Sequence, residues 1–222
     1  MSSANKQSKI FSTAFENISE PWHKHRYLLS YEWIKELKHE DVLDFGGQSP
    51  FTDYLKSLGW SVNNTEHDLT NDTKDWCIPL NHDLVLCMEV IEHLKDPDTS
   101  DTWAFTGMRN MLHTAFNMLR SGGHLFLTTP NVSCYKTIWN TMHGLHPYMF
   151  QPHVRELSPK DVETLLTNQG FKILKHECLC VWNHHHVPKE FCEWVNQWAI
   201  ANLGKVPAHL AGDCQFVLAV KP

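Results

Sequence analysis

At 222 residues the chain is long enough for one α/β domain with additions, or at most two small domains. Apolar residues make up 42%, enough to bury a core, and the 20% of charged residues is ordinary for a soluble protein. Lys and Arg number 19 against 25 Asp and Glu, and the net charge of −6 argues against partners with phosphate backbones or anionic lipid, so neither nucleic acid nor membrane is expected.

Residues 1–20 read as a mobile tail without the apolar run of a secretory signal. No later stretch approaches the ~18 apolar residues of a membrane span, so a cytoplasmic location is expected. From Pro21 to Lys38, apolar residues at Trp22, Leu28, Leu29, Trp33, Ile34 and Leu37 approximate helical spacing. DVLDFGG (41–47) is a short buried-strand pattern ending in glycines. A helix follows, with Ser49 as cap, Pro50 in its first turn, Phe51, Tyr54, Leu55 and Leu58 on its apolar face, and Gly59 as stop. WSVNNTE (60–66) reads as the second strand and HDLVLCM (82–88) as a third. Residues 101–120 form a long helix, and SGG turns the chain into the strand HLFLTT (124–129). Pro159 to Asn168 is helical, capped by Ser158 and stopped by Gly170. FKILKHECLCVW (171–182) and CQFVLAV (214–220) are the last two strands. Strands alternating with helices imply a parallel, doubly wound sheet covered on both faces. With no repeats and no low-complexity linker, one domain over 1–222 is expected.

The seven cysteines form no CxxC pair, and several sit in apolar runs such as LVLCMEV, where a reduced thiol behaves as a small hydrophobe. Neither a zinc ribbon nor a disulfide framework is indicated.

A strand running into a glycine turn and a helix sets free backbone N–H groups at the carboxyl edge of the sheet, where open α/β sheets bind nucleotides. Asp44 ends the first strand, and Gly46 and Gly47 let the backbone approach a ligand without a Cβ in the way. Glu66, roughly twenty residues on, suits the two hydroxyls of a ribose. Asp68 is placed to reach an adenine amino group while Leu69 packs on the ring. A βα turn with solvated acids is the alternative these residues leave open.

DVLDFGG, HDLVLCMEVIEHL, LRSGGHLFLTTPN and HVRELSPKDVETLLTNQGF, in this order and spacing, resemble class I methyltransferases of the small-molecule and polysaccharide-modifying kind. The resemblance spans about residues 22–180, with a final strand near 215–220. It implies a Rossmann-like, mostly parallel seven-stranded sheet with an antiparallel last strand, helices on both faces, and S-adenosylmethionine as cofactor. In that frame Asp44 and Gly46 border the methionine part, Glu66 holds the ribose, Asp68 and Leu69 flank adenine, and Met88 and Glu89 close the pocket. Two features depart from the family pattern. Gln48 occupies the second glycine position of the loop, and its amide is a candidate for the cofactor's carboxylate. Only 39 positions separate Asp44 from Asp83, so a helix and strand usual there are shortened or absent, and the adenine side is expected to be open. The loop also fails the Gly-x-Gly-x-x-Gly pattern, which counts against a nucleotide-dependent dehydrogenase.

A sulfonium already activates its methyl group, so such an enzyme mainly aligns the acceptor. A base is needed where a hydroxyl or ammonium must lose a proton, and imidazole suits that task. His93, just past the HDLVLCM strand, and His153, beside PYMFQP, are the candidate catalytic residues; a helix-start role is the alternative for His93. The resemblance makes 131–157 and 179–213 acceptor-side or lid insertions, with His146, Asn131 and Arg155 as substrate candidates. For Asn131 a helix cap is the alternative, and Arg155 with Glu156 reads more readily as an ion pair anchoring the insertion.

WHKHRY (22–27) reads as a solvated helix face, with a lid offering His23, His25, Arg26 or Tyr27 to the cofactor as the alternative. In the helical stretch 187–213 the aromatics read as core packing, with a lid or dimer interface as alternatives, and either a monomer or a homodimer is compatible. His184–His186 and the His143/His146 pair lack accompanying acidic ligands, and no metal is expected. The expected function is methyl transfer to oxygen or nitrogen of a small metabolite, a sugar or glycan precursor by analogy with polysaccharide pathways. A catalytically inactive binding or partner module, favoured by Gln48 and the short middle, is the alternative.

Overall fold

The computed structural model describes residues 15, 18, 21–37, 40–65, 69–70, 81–96, 106–182 and 187–222. The elements run α1 (Pro21–Ile34), β1 (Asp41–Asp44), α2 (Pro50–Ser57), β2 (Ser61–Asn64), β3 (His82–Met88), a 3-10 turn (Ile91–His93), α3 (Thr106–Met118), β4 (Leu119–Pro130), α4 (Tyr135–Met142), α5 (Pro159–Gln169), β5 (Lys172–Leu179), α6 (Lys189–Leu203), a second 3-10 turn (Ala208–Leu210) and β6 (Cys214–Val220). The caps form as the sequence indicates. Ser49 and Ser158 both close capping boxes ahead of prolines, and Gly170 ends α5 at φ 101°.

The six strands order as β2-β1-β3-β4-β6-β5. β1 to β4 pair in parallel, while β6 runs antiparallel to both β4 and β5. The α/β architecture and the reversed last strand follow the expectation. The expected seven strands become six among the described residues. The central strands are apolar on both faces, as parallel strands between helix layers must be. On one face Val85, Cys87, Leu125 and Leu127 pack with Met108, Met111 and Leu112 of α3 and Val162, Leu165 and Leu166 of α5. On the other, Leu84, Leu86, Phe126 and Phe216 pack with Tyr27 and Ile34 of α1 and Phe51, Tyr54 and Leu55 of α2.

The tail reading gives way at Phe15, which is fully buried with its ring 5.5 Å from Tyr27 and 5.3 Å from Tyr54. The core-packing reading of α6 fails for two of its aromatics. Trp194 and Trp198 are each more than half exposed, and only Val195 and Ala199 of that helix are buried. No described helix is long and apolar enough to cross a membrane.

Candidate active site

The carboxyl ends of β1 and β3 bring the glycine loop and Glu89 together. Asp44 is buried, its Oδ1 accepting from Gly46 N–H at 3.0 Å and its Oδ2 from the Asn64 amide at 3.1 Å. Burial outweighs these two bonds and pushes the Asp44 carboxyl up to about 7. A Cβ on Gly46 would stand 3.6 Å from the Met88 carbonyl, so the loop lies directly against the end of β3. Gly47 has φ 76°, and a Cβ there would meet nothing within 4 Å, which leaves the loop open to a ligand. Gln48 turns away, its amide donating to Asp53 Oδ1 at 3.1 Å in an exposed contact. Glu66 and Asp68 lie outside the described residues. Leu69 is buried in the core with Phe45 and Val85.

Glu89 follows β3 at φ 56°, a left-handed backbone rare for a residue with a side chain. Its Oε1 lies 3.7 Å from Arg26 Nη1 and accepts from Cys214 Sγ at 3.5 Å. Arg26 is buried, its guanidinium 5.1 Å from the Tyr27 ring centroid and 5.6 Å from that of Trp182. The first turns of α1 are therefore solvated only in part: Trp22, His23 and Arg26 line a cavity of about 630 Å³ together with Glu89, His93, His153 and Trp182. Tyr27 belongs instead to the core, stacked on Phe51, and His25 is exposed.

The 3-10 turn after β3 carries Glu92 and His93. The Glu92 carbonyl accepts from Val154 N–H at 2.9 Å and Arg155 N–H at 3.1 Å, which pins the insertion across the turn. This brings His153 edge-on to His93, ring centroids 4.7 Å apart. His153 Nδ1 is 2.6 Å from Glu156 Oε1, an atom that also accepts from Met149 N–H at 2.6 Å. The Glu92 side chain is fully buried, its Oε2 accepting from Thr129 Oγ1 at 2.9 Å. Burial, reinforced by nearby Glu89, raises the Glu92 carboxyl well above the usual range, and burial followed by His153 lowers the His93 imidazole. Among the described residues Glu92, His93 and His153 offer ligand atoms within 4.8 Å of one another, where the sequence led us to expect no metal.

Three substrate candidates are placed elsewhere. Asn131 is buried and fully engaged, donating to the carbonyls of His209 at 2.8 Å and Gly212 at 2.7 Å and accepting from Ser133 N–H at 2.9 Å. It anchors the α6–β6 connection and starts the turn into α4, nearer to the capping alternative. His146 is exposed against the Tyr148 ring, outside the cavity. Arg155 reaches Asp96 at 4.0 Å rather than Glu156, so the expected ion pair between neighbours does not form. The His143/His146 pair gathers no ligand set, since His143 Nδ1 sits 2.8 Å from the Trp139 carbonyl. His184–His186 lie outside the described residues. Sequence reading missed Lys136 and Trp182 as cavity residues; Trp182 is held by Asp213, whose Oδ2 accepts its N–H at 3.1 Å.

The model of a methyltransferase-domain family matches residues 22–176. The chain belongs to that family. Its fold is that of class I methyltransferases, and its cofactor is S-adenosylmethionine. The methyltransferase is similar in structure to a SAM-dependent methyltransferase from Archaeoglobus fulgidus, with TM-score 0.57 and 18% identity over 88% of this chain and 94% of that one. It is also similar to N-methyltransferase NodS from Bradyrhizobium japonicum WM9 in complex with S-adenosyl-L-homocysteine, with TM-score 0.53 and 15% identity over 96% and 97%. Magnesium protoporphyrin IX methyltransferase from Synechocystis PCC 6803 gives TM-score 0.54 and 10% identity over 98% and 95%. At these identities the likeness speaks for the fold. No curated protein sequence matches the chain. The open cradle at Gly47, beside Asp44 and the end of β3, fits a cofactor of this kind.

Proposed function

We propose that this methyltransferase methylates an oxygen or nitrogen of a small metabolite, with sugars and glycan precursors as the first acceptor class. The observation that carries this reading is the placing of His93 and His153 in the same cavity as Glu89 and Arg26, next to the cofactor edge of the sheet. The volume of about 630 Å³ suits a small molecule. Trp22, Phe150 and Trp182 supply flat apolar walls for a ring, and Arg26, Lys136 and Glu89 supply polar groups for its substituents.

The cofactor, when bound, supplies a methyl group already activated by its sulfonium. Asp44, Gly46 and Gly47 border its methionine end, and Met88 and Glu89 close that pocket from the β3 edge. His93 and His153, in the same cavity as Glu89, activate the acceptor. The acceptor O–H or N–H bond breaks and its proton passes to an imidazole nitrogen of His93 or His153. Asp44, Gly46, Gly47, Met88 and Glu89 would hold the cofactor so that its methyl faces the acceptor, which would take the methyl while the electron pair of the former carbon–sulfur bond stays with the departing thioether. Most of the rate gain comes from holding acceptor and methyl in line, with proton removal adding to it.

The test is a screen for S-adenosylhomocysteine formation with monosaccharides, sugar nucleotides, polyols and small amines as acceptors. The expected result is turnover with a hydroxyl- or amine-bearing acceptor that falls by about 10²-fold or more in His153→Ala. Turnover unchanged in His153→Ala and His93→Ala would remove this site as the place of reaction.

A further inference from the structure

We propose that Glu92, His93 and His153 form a binding site for a divalent first-row transition-metal ion at the acceptor end of the cavity. Their ligand atoms lie within 4.8 Å of one another. An ion held at about 2.1 Å from each needs ligand atoms about 3 Å apart, and rotation of the half-exposed His93 side chain supplies the approach. The residues come from two segments, the turn after β3 and the insertion before α5, and the Glu92 carbonyl bonds to Val154 and Arg155 hold those segments together.

Two independent features point to an ion here. The first is Glu92, whose fully buried side chain leaves Oε1 with no hydrogen-bond partner and 4.0 Å from His93 Nε2. A buried carboxylate oxygen without a partner is costly unless a cation or donor is supplied to it. The second is the support of His153. Its Nδ1 is held by the buried carboxylate of Glu156, leaving Nε2 as its ligand atom, and metal-bound imidazoles are oriented by this kind of carboxylate contact. Glu89 adds negative charge to the same cavity, and the nearby Arg26 guanidinium is already paired with it.

Two imidazoles and one carboxylate favour Mn²⁺, Co²⁺ or Zn²⁺ over the oxygen-seeking Mg²⁺ and Ca²⁺. Three protein ligands leave coordination positions open toward the cavity. Neighbouring hydroxyls of one acceptor fit such positions. With the ion bound, His93 and His153 act as its ligands rather than as bases, and the ion orients the hydroxyls and lowers their pKa so that a proton leaves to water. That last step rests on the acceptor class proposed above; the ion site itself does not.

The test uses the full chain, stripped with chelator and shown to bind S-adenosylhomocysteine. It is titrated calorimetrically with Mn²⁺ and followed with Co²⁺ by visible absorption. One equivalent of either ion is expected to bind with micromolar affinity, weakened about 10- to 100-fold in Glu156→Gln and abolished in His93→Ala and His153→Ala. Retained S-adenosylhomocysteine binding shows that the variants are folded. No binding of either ion at about millimolar concentration by a protein that binds S-adenosylhomocysteine would overturn the site. Binding left unchanged in both histidine variants would do the same, because the ion would then sit elsewhere. Loss of S-adenosylhomocysteine binding with ion binding intact would instead count against the cofactor assignment and in favour of the ion site.

Discussion

Glu156 Oε1 meets His153 Nδ1 at 2.6 Å inside the domain, with both side chains almost wholly withdrawn from water. The contact fixes which imidazole nitrogen is left for the cavity, and the bond from Met149 N–H to the same oxygen ties the loop wall to it. Glu156→Gln keeps the volume but removes the charge that holds the ring. Turnover is expected to fall about 10- to 100-fold with little change in affinity for S-adenosylhomocysteine. Steady-state kinetics beside calorimetry checks this, and an equal loss in cofactor affinity would contradict a role confined to the acceptor end.

Asp44 makes both stability and cofactor affinity depend on pH. Its carboxyl titrates near 3.8 when unfolded and about 7 when folded, so between these values the unfolded chain releases a proton that the folded one keeps. Its contribution to stability therefore falls as pH rises from about 4 to about 7 and levels off above. In Asp44→Asn that slope is expected to vanish, measured as the difference in urea midpoints between wild type and variant across pH. Affinity for the cationic cofactor should move the other way in the wild type, tightening as Asp44 ionises, with a proton released on binding below pH 7. Isothermal titration in buffers of different ionisation enthalpy reads that proton directly.

Gly47 combines a left-handed φ of 76° with open space where a Cβ would stand. Gly47→Ala should cost about 1–2 kcal/mol of stability, seen in urea unfolding, because the backbone conformation disfavours any L side chain. Gly47→Val should in addition weaken cofactor binding, since a branched side chain would fill the open space beside the loop backbone.

Asn131, a substrate candidate by sequence, has its amide fully engaged as a strut. Asn131→Ala leaves the buried carbonyls of His209 and Gly212 without donors, an expected loss of about 1–3 kcal/mol in denaturant unfolding. The KM for the acceptor should be unchanged at temperatures where the variant is folded.

The sheet was legible because its central strands are buried on both faces, which writes runs such as LVLC and FVLAV into the chain. The helix ends were legible because Ser49–Pro50 and Ser158–Pro159 are local signals. α4 received no bounds from the sequence although Tyr135, Ile138, Trp139 and Met142 stand at helical spacing, because that stripe spans only two turns and Thr137 is the helix's only buried residue. The side chains of the insertion were read less well because their partners are distant in sequence. Asn131 bonds to residues nearly eighty positions on, and Glu92 pins 154–155 through its backbone, which leaves no trace in residue type. Arg155 and Glu156 look like an ion pair in sequence, yet neighbours in extended chain point apart, one to Asp96 and the other to His153. The cofactor loop was read from its glycines, whereas the unpartnered oxygen of Glu92 is visible only in three dimensions.

The most direct measurement is calorimetric titration of the purified chain with S-adenosylhomocysteine, wild type beside Gly47→Val. Saturable binding in about the micromolar range, weakened at least about tenfold in a folded Gly47→Val, is the expected result and places the cofactor in the cradle between Asp44 and Glu89. Absence of binding at about millimolar concentration, or equal affinity in the variant, would contradict the assignment of this edge of the sheet as the cofactor site.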